Sequence, residues 1–309
     1  MNNILQDAYD MHVHAGPDVI PRRMDDLELA AAYSAAGMKG FVIKSHYWDT
    51  AGRAFLVRKL YPDLDAVGTL VLNHSVGGLN PAAVEMAARY GVRMVFMPTI
   101  DAWNMLPAEE KRRRRLFEGD GRPDNPGRPT AVSDTISAAR KDRSSTAATP
   151  SPIRILKDGQ PVPEVDQILD IIKDNNMVLC SGHISPEETL ALFKRAQEKG
   201  LRKLIATHVE WPPTGASFDM QKKYVSCGAF LEHCVINIMG GALSVKELTG
   251  QIQEIGAEHM ILSTDLGQAS NPDPVRALEE YASELLDAGV TKEDLRTMIV
   301  TNPAKLLAR

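Results

Sequence analysis

The chain has 309 residues, 44% of them apolar and 24% charged, with 22 Gly and 19 Pro. These are globular proportions, and they exclude a disordered, collagenous or coiled-coil chain. A balance of 35 Lys and Arg against 40 Asp and Glu leaves a formal charge of −5, without the basic excess that polyanion binding calls for. No apolar run reaches the roughly 18 to 20 residues that cross a bilayer, and Met1 to Asp10 has neither a basic nor an apolar leader pattern. The expectation is a soluble, cytoplasmic protein whose partner is a small-molecule substrate, with no nucleic acid and no membrane; a homo-oligomer remains open. The three cysteines, Cys180, Cys227 and Cys234, are expected to be reduced and buried.

In chain order, eight short apolar runs bounded by turn residues read as strands: Ala8–His14, Gly40–His46, Ala66–His74, Arg93–Ile100, Met177–Ile184, Lys203–Trp211, Ala229–Ile238 and Met260–Gly267. Most are nearly continuous in apolar residues, as parallel strands buried on both faces are. Helical patterns alternate with them over Asp25–Gly37, Thr50–Tyr61, Pro81–Gly91, Val165–Asn175, Pro186–Gly200, Phe218–Gly228, Val245–Gly256 and Pro274–Gly289. Ser185 with Glu188 and Ser244 with Glu247 form capping boxes, and a glycine stands at most helix ends. Eight such units fill about 250 residues, which predicts a single α/β domain over 1–309, a (β/α)8 TIM barrel, with a doubly wound open sheet as the structural alternative.

The rhythm breaks once, at a long insertion after strand 4, residues 101–163, rich in Arg, Pro, Gly, Ser and Asp. It is placed over the C-terminal face of the barrel, either as a lid or as a plain surface excursion. Ile153–Val162 reads as a β-hairpin turning at Asp158-Gly159, and the basic run Lys111–Arg115 as a solvated helix face.

Chemistry concentrates at the strand ends. In Asp10-Met11-His12-Val13-His14, period-two geometry sends His12 and His14 to one face and Val13 to the other. His183 ends the fifth strand, His208 the sixth and Asp265 the eighth. All C-terminal strand ends of a parallel barrel surround one rim, so five ligand-type side chains converge there. Four neutral imidazoles and a carboxylate suit zinc or another first-row divalent ion. The motifs of dinucleotide binding, P-loop phosphoryl transfer, zincin proteolysis and the serine nucleophile elbow are absent. Cys180 reads as a core residue rather than a nucleophile.

This pattern resembles the amidohydrolase superfamily of metal-dependent hydrolases, over nearly the whole chain in strand order. The positions that hold metal in that family match His12 and His14, His183, His208 and Asp265, and Thr301–Leu307 looks like its closing helix. The resemblance implies one or two divalent ions, with zinc the first choice. It also implies attack by metal-bound hydroxide on an amide, cyclic amide, lactone or other ester, with Asp265 as the catalytic base. One departure stands out: the fourth strand offers no bridging Lys or Glu. Lys44 is the nearest candidate for a carboxylated bridging ligand; the alternatives are a direct contact to an anionic substrate or a pair with Asp10 or Glu232. His74 is a candidate to polarise a substrate carbonyl or to support a ligand, and Arg22 and Arg23 to hold a substrate carboxylate. His46 shares a face with Lys44 near the same rim, and Glu232 and His233 are expected in core or supporting roles. A mononuclear decarboxylase or hydratase on the same scaffold is the rival reaction class, and a non-catalytic metal-bearing barrel the third reading.

Overall fold

A computed structural model describes residues 3–105 and 152–308; the Lys111–Arg115 run and most of the 101–163 insertion lie outside the described residues. Strands β1 (Tyr9–Val13), β2 (Gly40–Ile43), β3 (Asp65–Val71) and β4 (Met94–Phe96) precede a short hairpin, β5 (Leu156–Lys157) and β6 (Gln160–Pro161). Then come β7 (Val178–Cys180), β8 (Leu204–Ala206), β9 (Ala229–Cys234) and β10 (Met260–Ser263). Apart from the hairpin, the strands form one eight-stranded sheet in the order β1-β2-β3-β4-β7-β8-β9-β10, every pair parallel.

The sheet returns on itself. Val13 bridges Leu266 in parallel, the Asp265 N–H donates to the His12 carbonyl at 2.7 Å, and the His14 N–H donates to the Leu266 carbonyl at 2.8 Å. The architecture is therefore the (β/α)8 barrel, and the open sheet is excluded. Met11, Val42, Val67, Met94, Val178 and Ile261 fill the barrel interior. A larger apolar layer, including Leu29, Phe41, Val95, Leu169, Phe193 and Leu278, packs the helices against its outside.

Both expected capping boxes form, and Asp25 with Glu28 makes a third at the start of helix Asp26–Ala35. Asp158 and Gly159 both have positive φ, 51° and 77°, the turn that suits the right-handed twist of a two-residue hairpin. The closing helix forms over Asn302–Leu307, with Asn302 donating to the carbonyls of Ala257 and Met260 at the base of the barrel.

The strands are shorter than the apolar runs that announced them, because at the rim the chain turns out of the ladder. The run Ala229–Ile238 shows this most clearly: it is strand only to Cys234, and Val235–Met239 is a helix. An apolar run fits a buried strand and a buried helix equally well, so its periodicity could not place the switch. Among the described residues, no helix is long and apolar enough to cross a membrane.

Candidate metal centre

The residues expected at the rim meet there. Five imidazoles close a circle, with ring centroids 5.6 Å apart for His12–His14, 5.0 Å for His14–His46, 5.7 Å for His46–His183, 4.9 Å for His183–His208 and 6.0 Å for His208–His12. Asp265 reaches into it: its Oδ1 lies 3.0 Å from His12 Nε2 and 3.1 Å from His14 Nε2. His12, His14 and Asp265 each offer a ligand atom within 4.8 Å of the others, and His12, Glu232 and Cys234 form a second such group. His183 and His208 belong to neither group; they complete the far side of the circle.

Backbone geometry builds this arrangement. The register of β1 against β2 shifts between Asp10 and Val13, where three steps on β1 match two on β2. Asp10 therefore bonds outward to Tyr33, while His12 turns inward onto Phe96 and Lys44, although plain alternation would give Asp10 and His12 one face. His208 and Asp265 adopt positive φ, 31° and 51°, which is sparsely populated for residues with a Cβ and typical of functional positions. Gly267 lies so close to the His14 carbonyl that a Cβ there would overlap it.

Each imidazole has an orienting partner. Glu232 Oε2 accepts from His12 Nδ1 at 3.2 Å and from the His208 backbone N–H at 3.3 Å. With its proton on Nδ1, His12 presents the Nε2 lone pair to the centre, as a metal ligand must. His208 Nδ1 pairs with Thr214 Oγ1 at 3.2 Å. His183 packs on Trp211 at 4.8 Å, and its Nδ1 is buried without a hydrogen-bond partner. Arg22 Nη2 lies 3.2 Å from His14 Nδ1. A guanidinium only donates, so His14 here carries its proton on Nε2, towards Asp265. Ligation through Nε2 calls for the opposite tautomer and for Arg22 to release Nδ1.

Electrostatics keep four of the five imidazoles neutral and charge the fifth. Burial, reinforced by Arg22, holds His14 down at about 3, and burial holds His208 at about 4. Burial and neighbouring cationic groups keep His183 and His46 well below the usual histidine range. His12 goes the other way: burial alone would lower it, but Asp265 and Glu232 outweigh that, against Lys44, and push it up to about 9. Burial would raise Asp265, yet the charge and hydrogen bonds of His12, the hydrogen bond of His14 and the charge of Lys44 hold it well below the usual carboxylate range. Without a metal, the His12 proton stands between two carboxylates where a divalent ion would bring its charge. The nitrogen and oxygen donors, the unpartnered His183 Nδ1 and this proton all fit a divalent metal.

Lys44 is fully buried, its Nζ 2.8 Å from His12 Nε2 and 4.9 Å from the centre of the Phe96 ring; burial lowers its pKa. Its polar neighbour is thus His12, in place of the considered pairs with Asp10 or Glu232. Asp10 instead accepts from Tyr33 and Thr264 Oγ1, both at 2.5 Å. Arg22 is clamped by Asp18, with Nε at 2.8 Å and Nη2 at 2.6 Å from Oδ2, and only its Nη1 has no partner. Arg23 is exposed and donates to the Asn271 carbonyl at 2.8 Å, so it does not join Arg22 beside His14. His74 opens the short turn His74–Val76 after β3, half-buried, with its backbone N–H held by Asp101 at 2.9 Å. His233 faces Glu210, with its Nδ1 3.3 Å from Oε2 but poorly aligned for a hydrogen bond. Burial raises the Cys180 thiol well above its ordinary value, as a core residue. Asp18, Thr214 and Trp211 were not anticipated at the site and carried no signal in the sequence. His46, expected near the rim on one face with Lys44, stands in the circle itself.

Known proteins share this architecture. The chain aligns over 99% of its length with 96% of an amidohydrolase from Pseudomonas aeruginosa, at 10% identity and a TM-score of 0.60. It aligns over 99% with 98% of the metallopeptidase dipeptidase AC, at 12% identity and a TM-score of 0.58. It also aligns over 98% with the whole of a 2,6-dihydroxybenzoate decarboxylase, at 12% identity and a TM-score of 0.54. At such identities the likeness is one of fold. A comparison with curated protein sequences finds no match. The sequence model of DUF6282, a family of unknown function, matches residues 7–232, from the strand that carries His12 and His14 to Glu232. With well over half of its length matched, the chain belongs to the DUF6282 family.

Proposed function

We propose that the protein is a metal-dependent hydrolase, with zinc as its first-choice ion, that cleaves an amide, cyclic amide, lactone or other ester bond of a small substrate. The observation that carries this is the convergence of His12 Nε2 and His14 Nε2 on Asp265 Oδ1 inside a circle of imidazoles at the C-terminal rim. A bound divalent ion supplies Lewis acidity there, polarising a carbonyl and lowering the pKa of water from about 15.7 towards about 7. His12 in β1 and His14 just after it would hold the ion from one side, with His183 and His208 on the opposite side. Asp265, ionised and partly open, takes the proton of the attacking water on Oδ2, the oxygen that the two imidazoles leave open, and returns it to the leaving group. Arg22 Nη1 is the buried donor left for a carboxylate oxygen of an acidic substrate.

The rival is a decarboxylase or hydratase with one ion. It is favoured by the Lys44 ammonium that stands beside the group of His12, His14 and Asp265. The test is a panel of p-nitrophenyl esters, lactones and amides assayed with zinc-loaded and chelator-stripped protein. Hydrolysis that disappears on stripping and returns with zinc supports the proposal; activity indifferent to chelation overturns it.

A further inference from the structure

His46 stands in the circle of imidazoles yet differs from the other four in what its ring can offer. It follows β2, is 2% exposed, and its Nδ1 lies 2.8 Å from the hydroxyl of Thr99, which follows β4. Who donates in that contact is settled by hydrogen-bond accounting around Asn73, which follows β3. Asn73 Oδ1 accepts from the backbone N–H groups of Thr99 at 2.8 Å and Asp101 at 3.3 Å, which fixes the orientation of its amide. Its Nδ2 therefore faces the other way and donates to the His46 carbonyl at 2.9 Å and to Thr99 Oγ1 at 2.6 Å. Thr99 is fully buried, so its own proton needs an acceptor, and His46 Nδ1 is the one within reach. The proton of a neutral His46 then sits on Nε2, on the opposite edge of the ring.

We infer that His46 is not a metal ligand but the group that donates a hydrogen bond, from Nε2–H, to the carbonyl oxygen of the substrate as negative charge develops on it. The inference rests on the hydrolase proposal for the nature of the substrate, while the tautomer rests on the protein alone. The His14 tautomer reverses once Arg22 releases Nδ1, but that of His46 is held by Thr99 and Asn73, and a nitrogen that keeps its hydrogen cannot ligate a metal. Its ring lies beside His14 and His183, two expected ligands, on the rim where the proposed reaction takes place. A fixed donor aimed at a developing oxyanion is worth about 10²–10³ in rate. The preorganisation comes from three consecutive strand ends, and Asn73 and Thr99 act as positioning residues.

Two readouts test this. The first is the long-range ¹H–¹⁵N correlation spectrum of histidine-labelled protein, with and without zinc. Wild type and Thr99→Ser should show His46 protonated on Nε2 in both states, and Thr99→Val should lose that preference. A His46 proton on Nδ1 in the wild type, or a His46 nitrogen that shifts as a ligand when zinc binds, overturns the assignment. The second is kinetic, on whichever member of the ester, lactone and amide panel is turned over. His46→Ala should lose about 10²–10³ in kcat with KM and bound zinc little changed, and His46→Gln, which keeps an N–H, should recover part of it. Full activity in His46→Ala, or a lost equivalent of zinc, overturns the proposal. A wild type inactive on the entire panel counts against the hydrolase reading, and the tautomer then decides on its own whether His46 is a donor.

Discussion

The Nζ of Lys44 lies 2.8 Å from Nε2 of His12, both groups fully buried within the barrel mouth. An ammonium beside the atom expected to bind a metal is electrostatically awkward, and burial correspondingly lowers the Lys44 pKa. A larger neutral fraction makes the amine able to take up CO2 and become an anionic ligand. Protein prepared with zinc and ¹³C-bicarbonate should hold about two ions and show a carbamate signal; Lys44→Ala should hold about one and show none. About one ion in both proteins, with no carbamate, would assign Lys44 to substrate binding and bring the decarboxylase or hydratase forward.

Glu232 fixes the tautomer of His12, and its effect should appear in metal affinity rather than in folding. Glu232→Gln is expected to weaken zinc binding about 10–100-fold, read by competition with a chromophoric chelator. Unchanged affinity would show that His12 keeps its orientation without the carboxylate.

The proton on His12 should leave when metal arrives. His12 is pushed up to about 9, so near pH 8 the metal-free site is largely protonated there, whereas a ligand imidazole is neutral. Calorimetric titration with zinc at pH 8, in buffers of different ionisation enthalpy, should report release of about one proton, reduced in His12→Ala. Absence of buffer dependence would contradict this charge assignment.

Asp265→Asn keeps the shape of the side chain and removes the base. It should lower kcat by about 10²–10⁴ without changing the far-ultraviolet circular dichroism spectrum. Activity within tenfold of wild type would place the base elsewhere.

Asp10 serves the site through stability. Buried without exposure, it accepts hydrogen bonds from the backbone N–H of His12 and Thr264 and from the hydroxyls of Thr264 and Tyr33. Asp10→Ala strands these donors and should cost about 2–4 kcal/mol, lowering the melting temperature by roughly 3–6 °C. A variant as stable as wild type would mean that water or repacking satisfies them.

What could be read from the chain alone follows from local rules. Eight apolar runs alternating with capped helices imply a barrel, because parallel strands buried on both faces must be covered and connected by helices. Histidines and an aspartate at the ends of such runs meet at one rim, so His12, His14, His183, His208 and Asp265 could be named together. The Asp158-Gly159 turn was legible for the same reason, since its backbone conformation favours those residues.

Contacts across the barrel decided the rest. Arg22 and Arg23 are neighbours in sequence, but Asp18 clamps one beside His14 and the Asn271 carbonyl holds the other away. The inward turn of His12 depends on a bulge that alternation does not show. The role of His46 depends on Asn73 and Thr99, 27 and 53 positions further along the chain. Residue type and spacing fix which groups reach a rim; which nitrogen holds a proton and which charge is already paired depend on hydrogen-bond partners that only the closed barrel brings together.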